Sequence, residues 1–107
     1  MLSDMPTPTH HAMLRVEERL GVDRIVFVGW MRATWRDWVP VNVSYLVSRG
    51  VRVSAAGRWY FTCPWSPRIN LALCVSEDQA LITVIGFDAD VPGEATPVQR
   101  AARRLFE

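Results

Sequence analysis

The sequence predicts an α+β fold, in which an N-terminal helix, an antiparallel sheet of four to five strands and a C-terminal helix follow one another. Three observations support this prediction. The chain has 107 residues, which fits a single domain, and half of them are apolar, which suffices for one core. Apolar residues recur with helical spacing near both ends, whereas they alternate in short runs between them.

The N-terminal helix is the most clearly two-sided element. We expect residues 1–8 to form a flexible tail and residues 9–107 to form the domain. Thr9 fits the N-cap of a helix that ends at Gly21. Met13, Val16 and Leu20 make one apolar stripe. The opposite side carries His11, Arg15, Glu18 and Arg19.

The middle of the chain predicts strands with one ambiguity. Residues 24–31 contain the run Ile-Val-Phe-Val, which predicts a buried strand, and residues 32–38 form a connection. Residues 39–49 leave two alternatives. Their alternating valines fit a strand, whereas Pro40 and Gly50 suit a short helix, which we favour for the second half. Residues 51–62 predict a hairpin with its loop at residues 55–57.

The last third of the chain predicts a second hairpin and a closing helix. Residues 69–75 alternate like a strand, and residues 80–87 form an almost wholly apolar strand beside it. An acidic loop is expected at residues 88–95. Thr96 and Gln99 resemble a capping box, which predicts a helix that continues to about residue 106.

The charge is uneven along the chain. All twelve basic residues are arginines, and the formal net charge is only +1. Residues 30–76 carry six arginines against one aspartate, whereas the segments on either side are net acidic. All five tryptophans lie in this basic middle. Arginine binds phosphate through a planar fork and stacks on aromatic rings, so the middle is a candidate for binding RNA or a protein.

The composition excludes several classes of protein. No apolar run reaches the roughly 18 residues of a membrane span, and no apolar signal core follows the first residue. The two cysteines do not form a C-x-x-C pair, so we expect reduced thiols and no metal site. We therefore expect a cytoplasmic protein without a cofactor and without a membrane partner.

The polar side of the N-terminal helix is the first candidate site. Cleavage of a phosphodiester needs groups that move protons and a cation that binds the phosphate. His11 and Glu18 are the candidate catalytic residues, and Arg15 and Arg19 are the candidate phosphate-binding residues. The alternative is an ordinary solvated helix face with charge pairs one turn apart.

The basic, tryptophan-rich middle is the second candidate site. Arg52 and Arg58 lie near the turn of the predicted hairpin and are expected to bind RNA on one surface. We expect Trp35 and Trp38 to be the most exposed tryptophans. Both residue types are also common in the energetic centre of protein interfaces. The candidate residues for binding a protein partner are Trp35, Arg36, Trp38, Trp65 and Arg68.

Two segments of the sequence resemble a known family. The run from His11 to Gly21 resembles the H-A-x-x-R-x-x-E-R-x-G opening helix of small bacterial and phage domains that group with the BrnT- and RelE-like toxins. Gly57-Arg58 and the run A-L-I-T-V-I at residues 80–85 resemble that family's central hairpin and closing strand. The resemblance covers about a third of the chain. It implies RNA cleavage or ribosome-linked RNA binding, with His11, Arg15, Glu18 and Arg58 on the RNA face and Thr83 nearby.

These observations predict a small toxin-like domain that binds RNA or a ribonucleoprotein and is a candidate metal-independent endoribonuclease. An antitoxin would then be an expected protein partner. The alternative is a non-enzymatic phage or mobile-element inhibitor that binds a host protein or nucleoprotein complex through its Arg/Trp surface. A subunit that oligomerises through the exposed edge of its sheet is a third hypothesis.

Overall fold

A computed structural model describes residues 2–53 and 58–89 and confirms the α+β class. The strands are β1 (Thr7–Pro8), β2 (Val39–Val41), β3 (Arg58–Pro64), β4 (Ile69–Ser76) and β5 (Ala80–Asp88). The helices of the described ranges are α1 (His10–Leu20), α2 (Arg24–Thr34), a single 3-10 turn (Trp35–Asp37) and α3 (Val43–Ser48). The acidic loop beyond residue 89, the hairpin loop at 55–57 and the C-terminal helix predicted from the sequence lie outside these ranges.

The sheet has five strands in the order β1-β5-β4-β3-β2. The pairs from β2 to β5 are antiparallel, as predicted, but β1 runs parallel to β5. The sheet is therefore mixed, and the prediction of a purely antiparallel sheet is wrong at this one strand. Although a flexible tail was expected at residues 1–8, Pro6 is buried and β1 pairs with Ala80 and Leu81.

Helix α1 begins and ends where its sequence predicts. The Thr9 Oγ1 accepts a hydrogen bond from the Ala12 N–H at 3.1 Å, and Gly21 ends the helix in the left-handed conformation at φ 64°. The Thr9 hydroxyl also donates to the Leu81 carbonyl of β5 at 2.8 Å. Thr9 therefore both caps the helix and attaches it to the sheet.

This double role of Thr9 makes a testable prediction. The Thr9→Ala substitution removes the cap and the hydroxyl's bond to Leu81 but keeps the bond that the backbone N–H of residue 9 donates to the same carbonyl. We expect the free energy of unfolding to fall by about 2 kcal/mol. Urea denaturation measures the change. Thr9→Ser keeps a hydroxyl, so its free energy of unfolding should fall much less. Thr7→Ala is the matched control at an exposed threonine. A cost of only a few tenths for Thr9→Ala would show that the hydroxyl does not hold the helix to the sheet.

Helix α2 overturns the prediction of a strand at residues 24–31. The Asp23 carboxylate accepts a hydrogen bond from the Ile25 N–H at 2.7 Å and starts a helix at Arg24. Phe27 and Met31, four residues apart, are its fully buried residues, and this spacing follows one helix face. Packing of these two side chains outweighs the strand preference of the β-branched run. Ile25 and Val26 remain 78% and 57% exposed.

Both alternatives for residues 39–49 are correct in part. Strand β2 takes the first three residues, and α3 follows after Asn42, whose side chain accepts a hydrogen bond from the Tyr45 N–H at 2.8 Å. The predicted hairpin over residues 51–62 is wrong in its first half, because residues 51–53 are not a strand. Strand β3 pairs instead with β2 and β4. The β4–β5 hairpin is confirmed.

The sheet carries a core on each face. Helices α1 and α2 pack on one face against Phe61, Leu71 and Leu73, among others. Helix α3 and residues 51 and 53 pack on the other face against Tyr60, Ala72 and Cys74. Within the described residues, no helix is long and apolar enough to cross a membrane.

The two cysteines are free thiols on opposite faces of the sheet. Cys63 belongs to the core beneath α1 and α2, and Cys74 belongs to the core beneath α3. Burial raises the pKa of both thiols above the ordinary value of a cysteine. Both side chains therefore act as small core residues rather than as nucleophiles at neutral pH.

Candidate functional site

Among the residues that the structure describes, nothing pairs with the outer edge of strand β5 over most of its length. Strand β1 covers only Ala80 and Leu81, and none of the other described strands pairs with this edge beyond that point. Two arginines bind carbonyls there instead. The Arg19 Nη1 donates to the Val84 carbonyl at 2.7 Å, and the Arg49 Nη2 donates to the Asp88 carbonyl at 3.2 Å.

A groove follows this open edge, and we call it the edge groove. Its larger part has a volume of about 720 Å³, and an adjoining part of about 320 Å³ shares Gly86 and Asp88 with it. Arg19, at the end of α1, lines the groove from one face of the sheet. The segment after α3, which covers the other face, contributes Arg49 and Arg52. An extended ligand in the groove would therefore meet guanidinium groups from both sides.

The charge of the edge groove is positive. Its lining contains Arg19, Arg49 and Arg52 against the single carboxylate of Asp88. The Arg52 guanidinium is exposed and makes no hydrogen bond or ion pair with the described residues. Such a group attracts anions at no cost of breaking an existing pair.

Trp65 gives the edge groove an aromatic wall. Its ring lies 6.0 Å from the Phe27 ring and 5.3 Å from the Trp30 ring, measured between centroids. These contacts hold the ring in place, and the backbone N–H of Trp65 donates to the Ile69 carbonyl at 2.9 Å. Because Trp65 is only half-buried, part of the ring stays available to a ligand.

The proposed catalytic residues lie outside the edge groove. His11 and Glu18 are exposed on α1, and neither lines the edge groove. The Glu18 carboxylate accepts a hydrogen bond from the Arg15 Nη1 at 2.7 Å, so these two charges offset each other. Thr83 lies near the groove, with its Oγ1 3.5 Å from the Arg19 Nη1. Helix α1 therefore contributes Arg19 to the groove, whereas the candidate catalytic residues on the same helix lie outside it.

Arg58 lies at the opposite end of the sheet from the edge groove. It lines a separate cleft of about 700 Å³ together with Trp59. Trp59 is 54% exposed, and the sequence did not single it out. The structure therefore does not bring Arg58 together with Arg52, Arg19 or the polar side of α1.

The predicted partner-binding residues do not form one exposed patch. Trp38 is buried, and its Nε1 donates to the Thr34 Oγ1 at 3.0 Å, so its expected exposure is wrong. Trp35 is half-buried and carries the Arg36 guanidinium at 4.8 Å from its ring centroid. Arg68 is exposed in the turn between β3 and β4.

Arg49 is the residue of the edge groove that the sequence did not reveal. It sits at the end of α3, inside the segment whose secondary structure was ambiguous, and its position against β5 depends on the strand order. The sequence indicates Arg19 and Arg52 as candidates for binding phosphate or RNA, and Trp65 as a candidate for binding a protein partner.

Comparisons of this chain with protein-family models, with curated proteins and with solved structures gave no match.

Proposed function

We propose that this protein binds single-stranded RNA in the edge groove. The observation that carries the proposal is the convergence of Arg19, Arg52 and Trp65 on one groove. Proteins that bind single-stranded nucleic acid commonly combine a basic groove for the backbone with aromatic side chains for the bases. Here the two arginines stand on either side of a strand edge, and the tryptophan forms part of the same wall.

The hydrogen bonds that arginines already make to the outer edge of β5 favour RNA as the ligand over a protein strand added to the sheet. A partner strand would need the outward carbonyls of β5 as acceptors. The carbonyls of Val84 and Asp88 already accept hydrogen bonds from Arg19 and Arg49. These charged side chains blunt the edge against strand pairing. A phosphate in the groove can accept hydrogen bonds from other N–H groups of Arg19, which lines the groove.

Binding is supported more directly than cleavage. The edge groove contains cations and an aromatic ring, whereas His11 and Glu18 stand outside it on α1. The two residues are separated by seven positions, or about 10 Å along the helix axis. An RNA strand that leaves the groove along α1 would pass Arg15 and Glu18 before it reaches His11. Cleavage is therefore a separate hypothesis that depends on the path of the bound strand.

The binding proposal is tested by titrating a labelled single-stranded RNA into the protein at several salt concentrations. Two arginine–phosphate contacts, from Arg19 and Arg52, should give a slope of about −1.4 for the logarithm of the affinity against the logarithm of the salt concentration. Double-stranded RNA, whose bases cannot stack on Trp65, should bind more weakly. Absence of binding, or binding that salt does not weaken, would contradict the proposal.

The same RNA, recovered and separated by size, tests for cleavage. If α1 carries the catalytic residues, the wild-type protein should cut the strand in the presence of a metal chelator, and the His11→Ala/Glu18→Ala double variant should bind without cutting. If the RNA stays intact with the wild-type protein, the nuclease hypothesis is wrong and the proposed function is RNA binding alone.

A further inference from the structure

Helix α2 presents an apolar face that no described part of the chain covers. The face consists of Ile25, Val26, Gly29 and Ala33, which are all exposed, and we call it the α2 face. Ile25, Gly29 and Ala33 follow one another at four-residue intervals along the helix. No charged residue interrupts the helix between Arg24 and Arg32. An isoleucine that is 78% exposed beside a valine that is 57% exposed costs hydrophobic free energy unless another surface covers both side chains.

We infer that the α2 face binds the same face of a second copy of this chain, with the two helices antiparallel about a twofold axis near Gly29. The centre of the face is open, since a Cβ at Gly29 would meet no atom within 4 Å. Two helices can approach closely at a glycine because no side chain separates the backbones. The axis at Gly29 sets Ile25 of each copy opposite Ala33 of the other, so that a large side chain meets a small one.

The charges at the two ends of α2 favour this antiparallel arrangement. Asp23 stands at the start of the helix, whereas the other end carries Arg32 and Arg36 against Asp37 and is therefore positive on balance. The Arg24 charge at the start is offset by Glu17, whose Oε1 lies 3.3 Å from the Arg24 Nε. An antiparallel pair places the carboxylate end of each helix beside the basic end of the other, whereas a parallel pair would bring like charges together.

This self-complementarity is the reason to choose a second copy over another occupant. In a twofold interface, the same surface of each copy contacts the other. Large side chains of one copy must therefore face small side chains of the other, and acidic residues must face basic ones. The α2 face meets the first condition, and the charges at the two ends of the helix meet the second. Helix α2 has only eleven residues, about 16 Å of helix, and its contact would be smaller than the roughly 1,200 Å² of a stable interface. We therefore expect an equilibrium between monomer and dimer rather than a permanent dimer.

Sedimentation velocity over a wide dilution series of the purified chain tests the inference. The wild-type chain should shift from monomer to dimer as its concentration rises. Gly29→Leu places a bulky side chain at the crossing, where an added Cβ meets no atom within 4 Å, and Ile25→Asp places a charge on the face. Each should weaken self-association by about tenfold or more. Val47→Asp is the matched control, since Val47 on α3 is 56% exposed and lies off the α2 face.

Circular dichroism establishes that each variant keeps its helices before the association is compared. A third variant, Arg32→Glu, reverses the charge of one basic residue and should also weaken the dimer. Added salt should make this decrease in affinity smaller. A chain that stays monomeric at every concentration overturns the inference, whether the face is then bare or covered by another part of the same chain. A dimer that both Gly29→Leu and Ile25→Asp leave intact overturns it as well.

Discussion

Replacing Phe27 with alanine should lower the free energy of unfolding by about 3–5 kcal/mol. Phe27 is fully buried on the inner side of α2, and its ring contacts the rings of Trp30 and Trp65. The substitution removes these contacts and leaves a cavity beneath the helix. Because Trp65 also lines the edge groove, a loosened aromatic cluster should weaken RNA binding even in the fraction of molecules that stays folded.

The control for Phe27→Ala lies two residues away on the same helix. Ile25 is 78% exposed, so Ile25→Ala should change the stability by no more than about 0.5 kcal/mol when the protein is dilute enough to be monomeric. Chemical denaturation followed by tryptophan fluorescence measures both variants. The comparison also tests the secondary structure, because a buried strand at residues 24–31 would bury alternate residues and make Ile25 as costly to truncate as Phe27.

Removing both Arg19 and Arg52 should reduce the affinity for single-stranded RNA by about a hundredfold or more. Each guanidinium is expected to make a charge-assisted hydrogen bond to phosphate, which contributes about 1.5–3 kcal/mol. The two residues approach the groove from opposite faces of the sheet, so their contributions should be nearly additive. Each single Arg→Ala variant should also make the salt slope shallower by about 0.7.

Two further variants distinguish binding in the edge groove from nonspecific attraction of RNA to the positive charge of the protein. Arg58→Ala removes an exposed arginine that lines the separate cleft at the opposite end of the sheet and should leave the affinity within about twofold, since a distant charge is screened by salt. Arg19→Lys keeps the charge but not the fork that holds the Val84 carbonyl, so it should bind RNA more weakly than wild type. Equal losses for Arg58→Ala and Arg52→Ala would mean that RNA binds the whole surface without a site.

The elements that the sequence predicts correctly are those that local interactions determine. Helix α1 has its cap at Thr9 and its stop at Gly21, and the β4–β5 hairpin shows its alternation directly. Helix α2 could not be predicted in this way. Its β-branched run favours a strand, and the helix is selected by the burial of Phe27 and Met31 against a sheet whose strands come later in the chain.

The sequence could predict several residues of the candidate site, but it could not predict where in the fold they come together. Arg19, Arg52 and Trp65 are conspicuous by type, because arginine and tryptophan are the residues that bind phosphate and base. Their convergence depends on the strand order, in which a two-residue β1 leaves most of the β5 edge without a partner among the described strands. The same nonlocal arrangement carries Arg58 to a different cleft and buries Trp38 in the core.

The attachment of Thr9 to Leu81 has a consequence for synthesis on the ribosome. The two residues are 72 positions apart, and β5, which anchors both β1 and α1, is the last strand of the described chain to be made. The first helix therefore leaves the exit tunnel long before its docking strand exists. Its apolar stripe of Ala12, Met13 and Val16 must wait in contact with water or a chaperone. Closure of this long loop is the step that should set the rate of folding.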